Sequence, residues 1–190
     1  MNQESDSIKL LAKKILHSDR DAFNQLFYLM YPRLVNYAVR YLKDKQLACD
    51  VVQETFITLW KQRTQIDLKK SLKSFLYHVV KNRCLNFIRD HEKLIINSDL
   101  MNNELTYAQP VQSAESQSDE IELGKKFRTW IDTLPERQKE TFELSRFEGL
   151  DHQEIAEVLN ISAKTVNNHL VAALKYLRNC YETHQNEENK

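Results

Sequence analysis

The sequence predicts an all-α protein: two small helical domains joined by an acidic, flexible linker, with a helix-turn-helix at the C-terminal end. Three observations carry this. The 190 residues include only two glycines and three prolines, so β-hairpin turns that need φ > 0 are scarce and helix breakers are few. Apolar residues recur at steps of three and four almost throughout. One stretch, NSDLMNNELTYAQPVQSAESQ, breaks that pattern with acidic and amide residues, serines and a proline, a composition that cannot build a core.

Charge follows the same division. Lys plus Arg and Asp plus Glu both number 27, so the formal net charge is zero. Residues 1–96 nevertheless carry 17 basic and 10 acidic side chains, a net of +7. Residues 97–123 carry six acids and no base, and residues 124–190 carry 10 bases and 11 acids. A neutral average therefore leaves room for an anionic partner at one part of the chain. Hydrophobic residues at 42% and charged residues at 28% suit a soluble fold. Cys49, Cys84 and Cys180 are odd in number and widely spaced, which points to a reducing compartment rather than a disulfide framework. The N-terminus, MNQESDSIKL, has no basic-then-apolar signal pattern. No apolar run reaches the ~18 residues of a membrane span. The expectation is a cytoplasmic protein without membrane insertion.

The elements are expected as follows. Phe23, Leu26, Phe27, Met30, Leu34, Tyr37, Ala38 and Tyr41 form one helical stripe, which Pro32 should kink or divide. A helix over residues 47–62 carries apolar residues on more than one face (Val51, Val52, Phe56, Ile57, Leu59, Trp60), so it needs a partner on its outer side. Residues 61–71, KQRTQIDLKKS, read as a basic loop. A helix over 72–89 follows, with Leu72, Phe75, Leu76, Val79 and Val80 as its core stripe and Asn82, Asn86 and Arg89 as a polar one. Helices resume near Asp119. One starts at Pro135 and Glu136 and stops at Gly149. Asp151 with Glu154 makes a capping box. Asn160 takes the left-handed turn conformation. Ser162 caps the last helix, whose inner stripe is Val166, Leu170, Ala173, Leu174 and Leu177. This is the helix-turn-helix. The domains are then 1–96 and 119–182, with a linker at 97–118 and a disordered tail at 183–190.

Three surfaces carry chemistry. Ser162, Lys164, Thr165, Asn167, Asn168 and Lys175 face outward from the second helix of the helix-turn-helix, with no acid between residues 163 and 178. Asn pairs with adenine edges and Lys reaches guanine or phosphate. The block 61–93 holds nine basic residues against three acids, interleaved with aromatics, the make-up of a groove for single-stranded nucleic acid. Within it Lys69, Lys70, Lys73, Tyr77, His78, Asn82, Arg83, Asn86 and Arg89 are the candidates. Asp50, Gln53, Glu54, Phe56 and Trp60 mix acid, amide and aromatic groups, as a protein-binding face does. The six histidines form no H-E-x-x-H pattern. Neither a cofactor site nor a nucleophile–base arrangement can be assembled, so no enzymatic activity is expected.

At this point the order of modules resembles the RNA polymerase sigma factors of the extracytoplasmic-function class, the small kind with regions 2 and 4 only. DAFNQLFYLMYPRLVNYAVRYL is similar to the opening helices of region 2. ACDVVQETFITLWKQR resembles its polymerase-clamp segment, and LKSFLYHVVKNRCLNFIRD its minus-ten helix. LPERQKETFELSRFEGLDHQEIAEVLNISAKTVNNHLVAALKYLR is similar to region 4, which reads the minus-thirty-five element. The family's usual Asp-Leu is here Asp50-Val51, Asn86 stands where Asp is frequent, and Asp90 where a second Arg is common. The resemblance implies core RNA polymerase as a partner, promoter DNA as duplex and as melted strand, an anti-sigma factor, and an acidic linker lying in the polymerase's RNA path. The alternative is a two-component-type transcription regulator, because EIAEVLNISAKTVNNHL also resembles that output domain. Such a regulator needs an acidic phosphoacceptor pocket on a parallel sheet, and residues 1–96 show neither strands nor an acidic cluster.

Overall fold

The computed structural model describes residues 3–97 and 119–188. It divides into two compact units, Met1–Pro110 and Val111–Lys190. Every regular element among the described residues is helical, so the parallel sheet of a phosphoacceptor domain is absent from them. The expected linker, apart from Asn97, lies outside the described residues.

Unit 1 is built on α1 (Gln3–Leu16), α2 (Arg20–Leu42), α3 (Lys45–Lys61) and α4 (Leu72–Asn97). The first helix was not anticipated, although Ile8, Leu11, Ala12 and Ile15 stand at i, i+3, i+4 and i+7 and are all buried. The spine is α2. Its side chains Leu26, Met30, Leu34 and Ala38 are completely buried, and α1, α3 and α4 all pack against it. Asp19 and Asp44 accept backbone N–H bonds from Ala22 and Leu47 at 3.0 Å and so cap α2 and α3.

Pro32 does not divide α2, which runs unbroken through it. Pro32 is exposed, so the hydrogen bond it omits lies on the solvent side, where water replaces the partner. The buried stripe on the other side holds the helix together.

One ion-paired cluster reaches into this core. Glu4 on α1 accepts from Arg33 of α2 and from Lys73 of α4, the latter at 3.3 Å. Partial burial would raise the Glu4 carboxyl, but the charge and hydrogen bond of Lys73, and then those of Arg33, outweigh it and hold the pKa below the usual carboxylate range.

Unit 2 contains α5 (Asp119–Asp132), α6 (Glu136–Arg146), α7 (His152–Leu159) and α8 (Ala163–Glu188). Ile131, Leu134, Phe142, Ala173 and Leu177 form its core, with Trp130 packed alongside. Gly149 closes the turn after α6 at φ 64°, a conformation that suits glycine. The expected disordered tail is instead helical as far as Glu188. Ring contacts tie it down, Trp130 and His184 lying 5.8 Å apart.

Two titrations test these contacts. Because the folded Glu4 pKa is depressed, its ion pairs stabilise unit 1 above the unfolded carboxyl value and the contribution is lost as pH falls through the folded one. Urea unfolding followed from pH 6 downward should lose less stability in Glu4→Gln than in wild type. Burial pushes the Cys84 thiol up to about 12, so the native protein at pH 8 has almost no Cys84 thiolate. Mass spectrometry after iodoacetamide treatment should find the half-buried Cys49 and Cys180 alkylated first, and Cys84 only once urea unfolds unit 1.

Candidate nucleic-acid and partner surfaces

In unit 2 the helix-turn-helix is assembled by local chemistry. The Asp151 side chain accepts from the Gln153 and Glu154 backbone N–H groups, and Glu154 accepts from the Asp151 N–H, each at 2.8 Å. Asn160 sits at φ 55°, ψ 49°, and the Ile161 N–H reaches back to the Ala156 carbonyl at 3.1 Å. Ser162 Oγ accepts from the Thr165 N–H at 3.0 Å. The Ser162 and Thr165 hydroxyls also meet each other at 2.8 Å, so both serve the cap before they serve a ligand.

Val166, Leu170, Ala173 and Leu177 are buried as expected, but Leu174 is not. The four already complete the inward stripe, and position 174 falls a full residue step, about 100°, from Ala173. The outward stripe is Lys164, Asn167, Asn168, Val171, Lys175 and Arg178, at i, i+3, i+4, i+7, i+11 and i+14, all exposed. Val171 and Arg178 were missed by the sequence reading. The signal for both was their phase, and an exposed Val at 58% accessibility amid amides and cations is itself informative.

In unit 1 the structure sorts the candidates by face. On α3, Asp50, Gln53 and Glu54 are exposed and Ile57 continues their line one turn on. Gln46 donates to Asp50 at 3.2 Å, and Gln53 faces the Tyr31 hydroxyl at 3.5 Å. That hydroxyl is pushed up in pKa by its hydrogen bond to Cys49. Tyr28 on α2 is 77% exposed. Phe56, expected on this face, is buried in the core, edge-on to Phe23 and Phe27 at 6.0 and 4.9 Å. Trp60 is half-buried, 5.0 Å from Phe23, with the Arg63 guanidinium 4.6 Å over its ring.

On α4, Leu72, Leu76 and Val80 are buried and Asn82, Asn86 and Arg89 exposed as expected, but three residues at its start are placed differently. Tyr77 is fully buried, its ring 5.1 Å from Tyr37, and Lys73 is buried against Glu4. Both are therefore withdrawn from direct contact with nucleic acid. Phe75, expected in the core, is 44% exposed. It heads an outward row of Phe75, His78, Asn82, Asn86 and Arg89 at i, i+3, i+7, i+11 and i+14. Asn82 and His78 are hydrogen-bonded at 2.8 Å. Arg83 leaves this row. It donates to Glu54 at 2.7 Å and to Thr58 at 2.8 Å, joining α4 to α3. Arg89 contacts Asp90 at 3.2 Å.

The loop before α4 holds Lys69 and Lys70 outward. Asp67 takes the Lys69 N–H at 2.9 Å, and Ser71 Oγ caps α4 by accepting from Ser74. Between this loop and α1 lies a cavity of about 180 Å³. Ile8, Lys9 and Ala12 line one side and Lys69, Lys70 and Ser71 the other.

Comparison with known proteins fits this layout. The family described as Sigma-70 region 2 matches residues 26–94, and the family described as Sigma-70, region 4 matches residues 125–177. The chain belongs to the sigma-70 family. It is an extracytoplasmic-function sigma factor and directs RNA polymerase core enzyme to promoters. Among relatives, the ECF RNA polymerase sigma factor SigM of Bacillus subtilis is 28% identical over 84% of this chain and 97% of its own. The ECF RNA polymerase sigma-E factor of Haemophilus influenzae is 24% identical over 89% and 92%. The solved structure of CnrH with the cytosolic domain of CnrY gives a TM-score of 0.59 at 20% identity, over 94% of this chain and 99% of that one. The sigma factor RpoE with the anti-sigma factor NepR, from Bartonella quintana, gives 0.60 at 20% identity over 84% and 96%.

The two aromatics near the start of α4 of this sigma factor should respond oppositely to truncation. Tyr77→Ala opens a core cavity and should cost roughly 3–5 kcal/mol. Phe75→Ala removes an exposed ring and should stay within about 0.5 kcal/mol of wild type. Urea unfolding of the two variants measures both.

Proposed function

We propose that the two units of this sigma factor divide promoter recognition by face. In unit 2 the acid-free stripe of α8 enters the major groove of the minus-thirty-five element, with Lys164, Asn167 and Asn168 in its first turns, where a recognition helix meets base edges. Val171 is suited to a thymine methyl, and Lys175 and Arg178 to phosphates.

In unit 1, Lys69 and Lys70 draw in the minus-ten strand. Phe75 supplies a stacking surface, and Asn82, Asn86 and Arg89 bond the unpaired bases and their backbone. The cavity between α1 and the loop is the place for an extruded base. The face of α3 with Asp50, Gln53, Glu54 and Ile57, edged by Trp60, binds core polymerase, and Arg83 positions it. The row from Phe75 to Arg89 carries this reading most directly: an exposed aromatic continued by amides and a cation matches a melted strand better than a duplex.

The protein acts in the cytoplasm as a binding factor without catalysis of its own. An anti-sigma partner is included, because a structural relative is solved with one. The domain limits proposed are 1–96 and, because the last helix runs on to Glu188, 119–188, with the acidic linker between them.

The decisive experiment is transcription in vitro with bacterial core polymerase on duplex promoters selected by the wild-type holoenzyme from a randomised library. Asn82→Ala should slow promoter melting about tenfold, the worth of one to two lost hydrogen bonds, as read by permanganate. Mobility shift should find the closed complex unchanged, and a pre-melted template should restore most of the activity. Equal weakening of closed and open complexes would assign α4 to duplex binding instead.

A further inference from the structure

The basic loop between α3 and α4 is held at both ends by the same neighbour. At its start, Arg63 donates from Nε to Ser18 Oγ at 2.8 Å and from its guanidinium to the Trp60 carbonyl at 2.8 Å. Ser18 is the junction of α1 and α2. It stands at φ 66°, and its own N–H is bonded to the Ile15 carbonyl at 2.8 Å, so its hydroxyl is presented from a fixed backbone.

At the loop's end, Lys73 turns inward beneath the start of α4 and reaches Glu4 on the first turn of α1. Glu4 is itself held by Arg33. Between these two ties, α1 forms one wall of the cavity and the loop the other. The contacting face of α1 is anchored by Ile8, Leu11, Ala12 and Ile15 in the core. The region 2 match begins at residue 26, so α1 stands before it, and neither Glu4 nor Ser18 belongs to the matched segment.

We propose that α1 is a strut that holds the strand-capturing loop in its working position, with Glu4 and Ser18 as positioning residues acting through Lys73 and Arg63. The inference rests on the strand-capturing role given to the loop above. A loop fixed at both ends before the strand arrives is ordered in advance, and that ordering is not subtracted from the binding free energy. Lys69 and Lys70 then project from a segment whose direction is set by α1, as residues supporting a binding site should set it. Neither Glu4 nor Ser18 need touch DNA.

The test uses holoenzyme reconstituted with bacterial core polymerase and two fluorescent probes from a promoter selected by the wild-type holoenzyme. One is the single non-template strand over the minus-ten element, and the other is the upstream duplex alone. Glu4→Gln and Ser18→Ala should each weaken single-strand binding about tenfold and leave upstream duplex binding unchanged. In a Lys69→Ala/Lys70→Ala background the same substitutions should each add less than about a twofold effect, because what they position has gone.

Wild-type affinity in both positioning variants, or effects that multiply in full in the lysine-free background, would overturn the strut. Ser18 is exposed, so Ser18→Ala removes no buried group and decides the question if Glu4→Gln fails to fold. If Lys69→Ala/Lys70→Ala itself leaves strand binding unchanged, the capture role of the loop is wrong and the strut falls with it. If that variant weakens binding while Glu4→Gln and Ser18→Ala do not, only the strut is wrong.

Discussion

The buried stripe of α2 fixes the rest of unit 1. Leu26, Met30, Leu34 and Ala38 lie at zero accessibility, and three helices use that one surface as their common base. A domain of this size supports a single core, so each surrounding helix commits one face to α2 and leaves the opposite face to solvent. The directions in which α3 and α4 display their polar residues follow from that commitment. Pro32 survives within α2 for the same reason. Tertiary burial on one side outweighs a hydrogen bond lost on the other.

Arg83 shows how little energy is needed to organise the two displayed faces. It links Glu54 and Thr58 on α3 to α4. Glu54 is two-thirds exposed there, and exposed pairs are worth about 0–1 kcal/mol. The contact contributes little to stability. It fixes the angle between the helix proposed to meet polymerase and the helix proposed to meet the melted strand, and it places a guanidinium behind the strand face rather than on it. The inner cations follow a stricter rule. Lys73 is buried with Glu4 beside it, and removing one partner of a buried pair leaves an uncompensated charge that costs about 3–5 kcal/mol.

The parts of the fold legible in the sequence were those decided within a few residues. Asp151 with Glu154, Asn160 and Ser162 define the helix-turn-helix by capping and turn chemistry, and each occupies the expected position. Helical class followed from spacing and from the scarcity of glycine. The placing of the two aromatics at the start of α4 did not follow, although its other inner and polar positions did. Phe75 and Tyr77 are both aromatic, and either could face inward by periodicity. Only the ring of Tyr37, on a helix forty residues earlier, makes 77 the inner position. Phe56 was misplaced by similar logic, because aromatics at an interface and aromatics in a core have the same sequence signature. The first helix was legible in principle from Ile8, Leu11, Ala12 and Ile15. Its tie to the loop was not, since an ion pair between positions 4 and 73 leaves no local trace.

The charge distribution gives these surfaces a shared logic. The α8 stripe holds only three cations, Lys164, Lys175 and Arg178. If all three met phosphates, counterion release would give a salt slope of only about −2.7 at 0.9 per contact. Eight acids in residues 132–157, from the end of α5 through α7, oppose even that field, although the outward stripe itself excludes acids. A unit so weakly attracted to DNA in general must obtain its selectivity from base edges. It must obtain its occupancy from being held near the promoter by something else. Unit 1, with its net positive charge and its proposed polymerase face, supplies that tether. Two weak contacts joined through one chain bind far better together than either alone, because the second forms at a high effective concentration. A nearly neutral sigma factor thus avoids non-specific duplex and gains affinity only where both elements are present on one DNA.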